Sequence, residues 1–96
     1  NDVLAAGAVR AAHELGLKVP ADVSITGFDD IELATVIQPA LTTVHVPHRQ
    51  MGGLAAEVLL AQVRDNSAPQ QVNLETYIVE RASLAAPGFQ PTVAAE

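Results

Sequence analysis

Two adjacent carboxylates mark the place in this sequence where binding chemistry is easiest to locate. Asp29 and Asp30 directly follow "DVSITGF", a mostly apolar stretch that spans residues 22–28. An ionised carboxylate at the end of a buried strand is costly unless a partner donates hydrogen bonds to it. Each aspartate therefore needs a separate explanation, and the elements around them supply it.

Asp29 is the candidate for ligand contact. In doubly wound α/β sheets, ligands bind outside the carboxyl ends of the strands, and Asp29 follows such an end. A carboxylate there can accept hydrogen bonds from hydroxyl or amino groups of a ligand. The sequence leaves open a second interpretation, in which Asp29 is a structural aspartate in a strand–helix turn.

Asp30 has a different predicted role, as the N-cap of a short helix. It precedes "IELA", and its side chain could accept from the amide of Glu32 or Leu33. The two aspartates do not form a catalytic dyad, because adjacent residues leaving a strand point to opposite sides.

The order of predicted elements indicates an α/β fold containing part of a doubly wound parallel sheet. Asn1 or Asp2 is the expected N-cap of a first helix, which ends before Gly16. Its apolar stripe is predicted to consist of Leu4, Ala8, Ala11, Ala12 and Leu15. The remaining expected elements are a strand at 22–28, a short helix at 31–37, a strand at 41–46, a helix at 49–64, an extended segment at 71–80 and a disordered tail at 85–96.

Composition and motifs exclude several classes of function. The 96 residues carry a net charge of -6 with five scattered basic residues, which argues against nucleic-acid binding by this segment. The absence of cysteine excludes disulfides and thiolate metal sites. His45 and His48 lack a nearby acid to complete a metal set, and no motif of nucleophilic catalysis is present. We therefore expect no catalytic residue, no metal and no cofactor.

The chain does not read as a complete protein or as a membrane segment. It begins with Asn1 inside an apparent helix, so we expect it to be part of a longer protein. No apolar run approaches the roughly 18 residues of a membrane span.

Four motifs in order carry a resemblance to a known family. "ND" opens a helix with "AAGAVRAAHELGLKVPADVSITGFDD", followed by "PALTTVHVP", "MGGLAAEVLL" and "LETYIVERAS". This set resembles the LacI/GalR family of bacterial transcriptional repressors over residues 1 to about 84. The family has a type I periplasmic-binding-protein-like core of two lobes. The resemblance implies that residues 1–46 belong to the C-terminal lobe, 47–75 to the N-terminal lobe and 76–84 to the C-terminal lobe again.

The resemblance also implies a function and partners. Such regulators are cytoplasmic homodimers that bind a small-molecule effector, often a sugar or a purine, between their lobes. They bind operator DNA through an N-terminal helix-turn-helix, which these 96 residues do not include. The chain would then be an effector-binding and dimerisation segment without enzymatic activity.

Matching positions in the family assign residues to these tasks. Asn1 and Asp29 match residues that contact the effector. The first helix and the loop near residue 37 match part of the dimer interface, where the expected residues are Ala5, Ala6, Gly7, Arg10 and Ile37.

Two alternatives remain at this point. The first is a periplasmic sugar-binding protein of an ABC transporter, which shares the fold. An upstream helix-turn-helix would favour the repressor, and an upstream signal peptide would favour the transport protein. The second is an enzyme, which no group of residues in the sequence supports.

Overall fold

The computed structural model describes residues 1–88, and residues 89–96, which hold most of the predicted disordered tail, lie outside the described part. The elements are α1 (Asp2–Glu14), α2 (Leu33–Val36), β1 (Thr43–His45), α3 (His48–Asp65) and β2 (Tyr77–Val79). Contacts divide the chain into two compact units. Of the described residues, unit 1 comprises Asn1–His45 and residues 77–88, and unit 2 comprises Val46–Thr76.

Helix α1 has the predicted ends but not the predicted buried face. The Asn1 side chain caps it by accepting from the Leu4 amide at 3.0 Å, and Gly16 follows its end at φ +78. Leu4 and Leu15, expected in the apolar stripe, are 72% and 78% exposed. The residues that face inward are Asp2, Ala5, Val9 and Ala12. Of the predicted stripe, Ala12 is confirmed and the rest is wrong, because the buried Asp2 side chain fixes the rotation of the helix and the residues on its side turn inward.

The predicted strand at 22–28 is an extended segment that makes isolated parallel bridges to the chain around β1. The Gly27 amide donates to the Thr42 carbonyl and the Asp29 amide to the Val44 carbonyl, each at 2.9 Å. Parallel bridges join Thr26 to Thr42 and Asp29 to His45. The segment therefore runs parallel to β1 and ends at the two aspartates, as predicted.

Strand β1 also pairs with β2, in the antiparallel direction. His45 lies opposite Tyr77, and Thr43 lies opposite Val79. The chain leaves unit 1 after His45 and re-enters it at Tyr77, so the first and last residues of this ladder stand at the two crossovers between units. Within the predicted extended segment 71–80, the assigned strand is limited to Tyr77–Val79.

The core of unit 1 is small. It is built from Ala5, Ala34 and Leu41, with Ile25 and Ile37 packed against it. Helix α2, shorter than the predicted 31–37, supplies Ala34 and ends with Ile37 in extended conformation ahead of Pro39.

Buried polar side chains join the last part of the chain to this core. Ser83 is fully buried, donates to the Ile25 carbonyl and accepts from the Thr42 amide at 2.9 Å. Ser24 and Ala85 exchange two hydrogen bonds of 3.0 and 3.2 Å, which hold the chain as far as Ala85.

Unit 2 consists mainly of α3, whose extent confirms the helix predicted at 49–64 and adds one residue at each end. The helix ends at Asn66 in left-handed conformation with φ 51, a position at which asparagine is common. A groove of about 370 Å³ runs along its apolar face, lined by Met51, Leu54, Ala55, Val58, Leu59, Gln62, Gln70, Val72 and Leu74. Among the helices of residues 1–88, none is long and apolar enough to cross a membrane.

Candidate functional site

The start of α1 is fixed to the end of the parallel segment by Asp2. This residue is fully buried, and its carboxylate accepts from the Thr43 hydroxyl at 2.6 Å and from the Ile31 amide at 2.8 Å. Its own amide donates to the Phe28 carbonyl at 3.0 Å. The first turn of a helix also favours negative charge. Asp2 thus holds three segments of unit 1 together at one point.

From the sequence Asp2 was predicted only as a possible N-cap, so this role was missed. Two features of the sequence could have indicated this role. One is an acidic residue in the first turn of a helix, and the other is the glycine at position 27. A Cβ at Gly27 would collide with the Asp2 carboxylate and would lie 2.8 Å from the Leu41 side chain. Glycine is required there because the two segments approach so closely.

The two predicted effector residues are brought together by the same contact. The hydrogen bond between the Asp2 amide and the Phe28 carbonyl joins the residue after Asn1 to the residue before Asp29. Asn1 is exposed, and its side chain caps α1 through Oδ1. The side-chain nitrogen Nδ2 takes no part in this capping hydrogen bond. Asp29 is half-buried at the carboxyl end of the parallel segment. The backbone positions of the two residues are therefore neighbours at this end of unit 1.

The backbone at the two aspartates lies in a region that non-glycine residues rarely adopt. Asp29 has φ 117 and Asp30 has φ 62. Asparagine and aspartate tolerate positive φ better than other side chains, but the conformation is still costly. Such residues persist only where the surrounding contacts over-determine them, and they cluster at binding and active sites. The Asp29–Asp30 turn is therefore the strained feature of the candidate site.

Asp30 makes some of the contacts that hold this strained backbone in place. Its Oδ1 accepts from Arg81 Nη2 at 2.7 Å, and its Oδ2 lies 2.8 Å from His45 Nδ1. Burial raises the pKa of Asp30, but hydrogen bonds from His45 and Arg81 and the electrostatic interaction with those two side chains outweigh it. The pKa is held below its ordinary value of 3.8. Asp30 is therefore an ionised partner of two basic side chains.

The prediction that Asp30 caps a helix was wrong. The N-cap of α2 is Glu32, which makes no side-chain cap bond, and Asp30 is too far back with a left-handed backbone. A guanidinium makes a charge-assisted hydrogen bond that is about twice as strong as one from a neutral amide. The Asp30 carboxylate therefore turns to Arg81 instead of to the helix.

His45 and Arg81 extend this cluster in two directions. The His45 ring stacks on Tyr77 with centroids 4.8 Å apart and an interplanar angle of 21°. Arg81 also donates to the Leu41 carbonyl at 2.9 Å, so its guanidinium is held at both ends. His45 lies in β1, as expected of a strand residue. Residues 1–88 contain no group of three or more His, Cys, Asp or Glu arranged to hold a metal ion.

The residues assigned to the dimer interface lie in two different environments. Ala5 is 5% exposed and packs in the core of unit 1, so its predicted presence at an interface was wrong. Gly7 and Arg10 are exposed, and Ala6 and Ile37 are half-buried. A shallow groove of about 600 Å³ runs beside them, lined by Ala6, Val9, Arg10, His13, Glu14, Ile37 and Gln38.

Comparison with known proteins gives the class to which this fold and site belong. The chain matches the periplasmic binding protein-like domain over residues 1–84. It therefore belongs to that family. Within the family it is similar to the LacI/GalR regulators, since its relatives include a PurR repressor and a lac repressor.

One relative is the HTH-type transcriptional repressor PurR of Proteus mirabilis (strain HI4320), 47% identical over 86 residues, which are 88% of this chain and 25% of that protein. Among solved structures, a lac repressor dimer bound to operator and the anti-inducer ONPF has a TM-score of 0.81 at 35% identity, covering 90% of this chain and 30% of that one. A LacI family transcriptional regulator from Enterococcus faecium with bound ribose has a TM-score of 0.81 at 34% identity, covering 88% and 32%. The chain spans about a quarter of the length of the curated relatives it matches.

Proposed function

We propose that this chain is the C-terminal effector-binding and dimerisation segment of a LacI-type transcriptional regulator, and that it has no enzymatic activity. The observation that carries the proposal is the backbone hydrogen bond from Asp2 to Phe28, which brings the chain at Asn1 next to Asp29 at the carboxyl end of the parallel segment. This is where α/β folds bind small ligands. The similarity to named repressors supports the same conclusion.

The chemistry of the two side chains fits an effector of the sugar or purine class. The Asp29 carboxylate can accept hydrogen bonds from two neighbouring hydroxyl or amino groups, and the Asn1 amide can donate and accept. Charge-assisted hydrogen bonds of this kind are the strong ones in a ligand site. The ribose bound to the Enterococcus faecium regulator supports a sugar.

The groove along α1 supports the proposed homodimer interface, with Ala6, Gly7, Arg10 and Ile37 on or beside it. An exposed glycine in a helix interior is unfavourable by about 1 kcal/mol relative to alanine, and a closely packed partner would explain its presence. Operator binding would reside in a part of the longer protein outside these residues. Effector and operator would each favour one arrangement of the dimer and so change the affinity for the other.

This mechanism places the regulator in the cytoplasm with its DNA. The alternative, a periplasmic sugar-binding protein, shares the fold. The similarity to named transcriptional repressors favours the regulator.

The test is effector binding by the full-length protein, measured by calorimetry with D-ribose as the sugar probe and hypoxanthine as the purine probe. Asp29→Asn should weaken binding of the probe that binds by about 10- to 100-fold, because a charged acceptor is lost. Glu32→Gln removes the same charge from an exposed position three residues on and should leave the affinity unchanged. Full affinity in Asp29→Asn would remove Asp29 from the site, and failure of both probes would overturn the assigned ligand classes.

A further inference from the structure

A continuous series of contacts runs from the strained turn to both crossovers between the units. Asp30 lies next to Asp29 and contacts His45, and His45 stacks on Tyr77. His45 is the last residue of unit 1 before the chain enters unit 2, and Tyr77 is the first on its return. The two are also opposite each other in the β1–β2 ladder. The site and the crossovers therefore share one carboxylate.

The geometry of Asp30 gives this carboxylate a single orientation. Its two oxygens have different partners, Arg81 on one and His45 on the other, at 2.7 and 2.8 Å. The side chains of Asp30, Arg81 and His45 are 14%, 19% and 33% exposed, so water competes little for these contacts. A carboxylate fixed at both oxygens also restrains the backbone that carries it, which at Asp30 has φ 62.

We propose that Asp30 is a positioning residue: through Arg81 and His45 it holds the turn that presents Asp29 to the effector, and through the His45–Tyr77 stack it connects that turn to the two crossovers. The inference rests on the proposed function, because it requires Asp29 to contact the effector. It also requires that the contribution of Asp29 to effector affinity depends on Asp30, which does not itself touch the effector. A ligand that contacts Asp29 therefore binds next to a carboxylate that is also in contact with the residue at which the chain leaves unit 1.

The first experiment is a double-mutant cycle in the full-length protein with D-ribose and hypoxanthine as probes. Asp30→Asn should weaken binding of the probe that binds by about 10-fold, while Glu32→Gln should not. In the Asp29→Asn background, Asp30→Asn should weaken binding by less than about 2-fold more, because it acts through Asp29. A general loss of folded structure would lower the affinity equally in both backgrounds.

The second experiment is hydrogen exchange by mass spectrometry on the same variants without ligand. Asp30→Asn should speed exchange in peptides covering residues 27–33 and 43–45, where the Asp29 amide bonds to the Val44 carbonyl. Peptides from α3 in unit 2 should be unchanged and serve as the internal control.

The outcomes separate the two claims. Full affinity in Asp29→Asn would refute the proposed function. Weakened affinity in Asp29→Asn, with full affinity and unchanged exchange in Asp30→Asn, would refute the positioning role alone. Equal losses for Asp30→Asn in both backgrounds would also refute it, since the effect would then not pass through Asp29.

Discussion

Replacing Asp2 by alanine is predicted to destabilise the protein more than replacing any exposed acid of α1. The change removes both acceptors of a fully buried carboxylate and leaves the Ile31 amide and the Thr43 hydroxyl without their partner. Hydrogen bonds to a charged group contribute about 1.5–3 kcal/mol each, and the helix N-terminus adds about 0.5 kcal/mol. The expected loss is therefore about 3.5–6.5 kcal/mol.

Asp2→Asn tests the same geometry more finely. The amide oxygen can accept from Ile31, and the Thr43 hydroxyl can reverse and accept from the amide nitrogen. Both hydrogen bonds then survive without charge assistance, and the expected loss is only about 1–2 kcal/mol. The two variants should therefore differ clearly although both remove the charge.

Thermal unfolding of the full-length protein, followed by circular dichroism, measures both effects. One kcal/mol shifts the midpoint of a domain of 150–250 residues by roughly 2–4 °C, so Asp2→Ala should melt about 15 °C lower. Asp2→Asn should melt about 4 °C lower on the same scale. Glu14→Ala is the matched control, because Glu14 is exposed and, within residues 1–88, its ion pair is with Arg10 on the helix surface. A midpoint for Asp2→Ala equal to that of Glu14→Ala would refute the anchoring role, and equal losses for the two Asp2 variants would refute the hydroxyl reversal.

Three further predictions concern the same protein. Gly27→Ala should lower stability by about 2 kcal/mol in urea unfolding, because its Cβ collides with Asp2, whereas Gly53→Ala, with open space around it, should raise stability. Gly7→Ala, which also meets no neighbour within 4 Å, should leave the fold intact yet weaken the homodimer in sedimentation equilibrium; an unchanged dimer constant would contradict the proposed interface. The difference in melting temperature between wild type and Asp30→Asn should be largest above pH 3.8 and should shrink as the pH falls through the lowered pKa of Asp30. A difference that is the same at every pH would contradict this prediction.

Local signals were sufficient for the helices. The signals lie within one or two turns of the chain: Asn1 before α1, Gly16 after it, and the spacing of apolar residues in α3. The predicted helix bounds agree with the observed ones to within about two residues. The parallel segment ending at Asp29 was also predictable, since apolar residues on both faces and a following acid are local features.

The errors share one physical cause, which is long-range pairing of a polar side chain. The face of α1 was set by Asp2, whose partners Ile31 and Thr43 are 29 and 41 residues away. The role of Asp30 was set by Arg81, 51 residues away. Helical periodicity contains no information about such partners, so an apolar stripe and a nearby cap were the best local answers.

These two long-range anchors explain how the Asp29 turn keeps a costly backbone. Asp2 fixes the chain before Asp29 through Phe28 and after it through Ile31, and Asp30 fixes the residue directly after Asp29 through Arg81. A strained residue persists only when its surroundings over-determine it, and here both flanks are held by buried or half-buried carboxylates. A turn held in this way loses little conformational freedom when a ligand binds, which preserves affinity. The three aspartates thus divide one task, with Asp2 and Asp30 holding the turn and Asp29 presented by it.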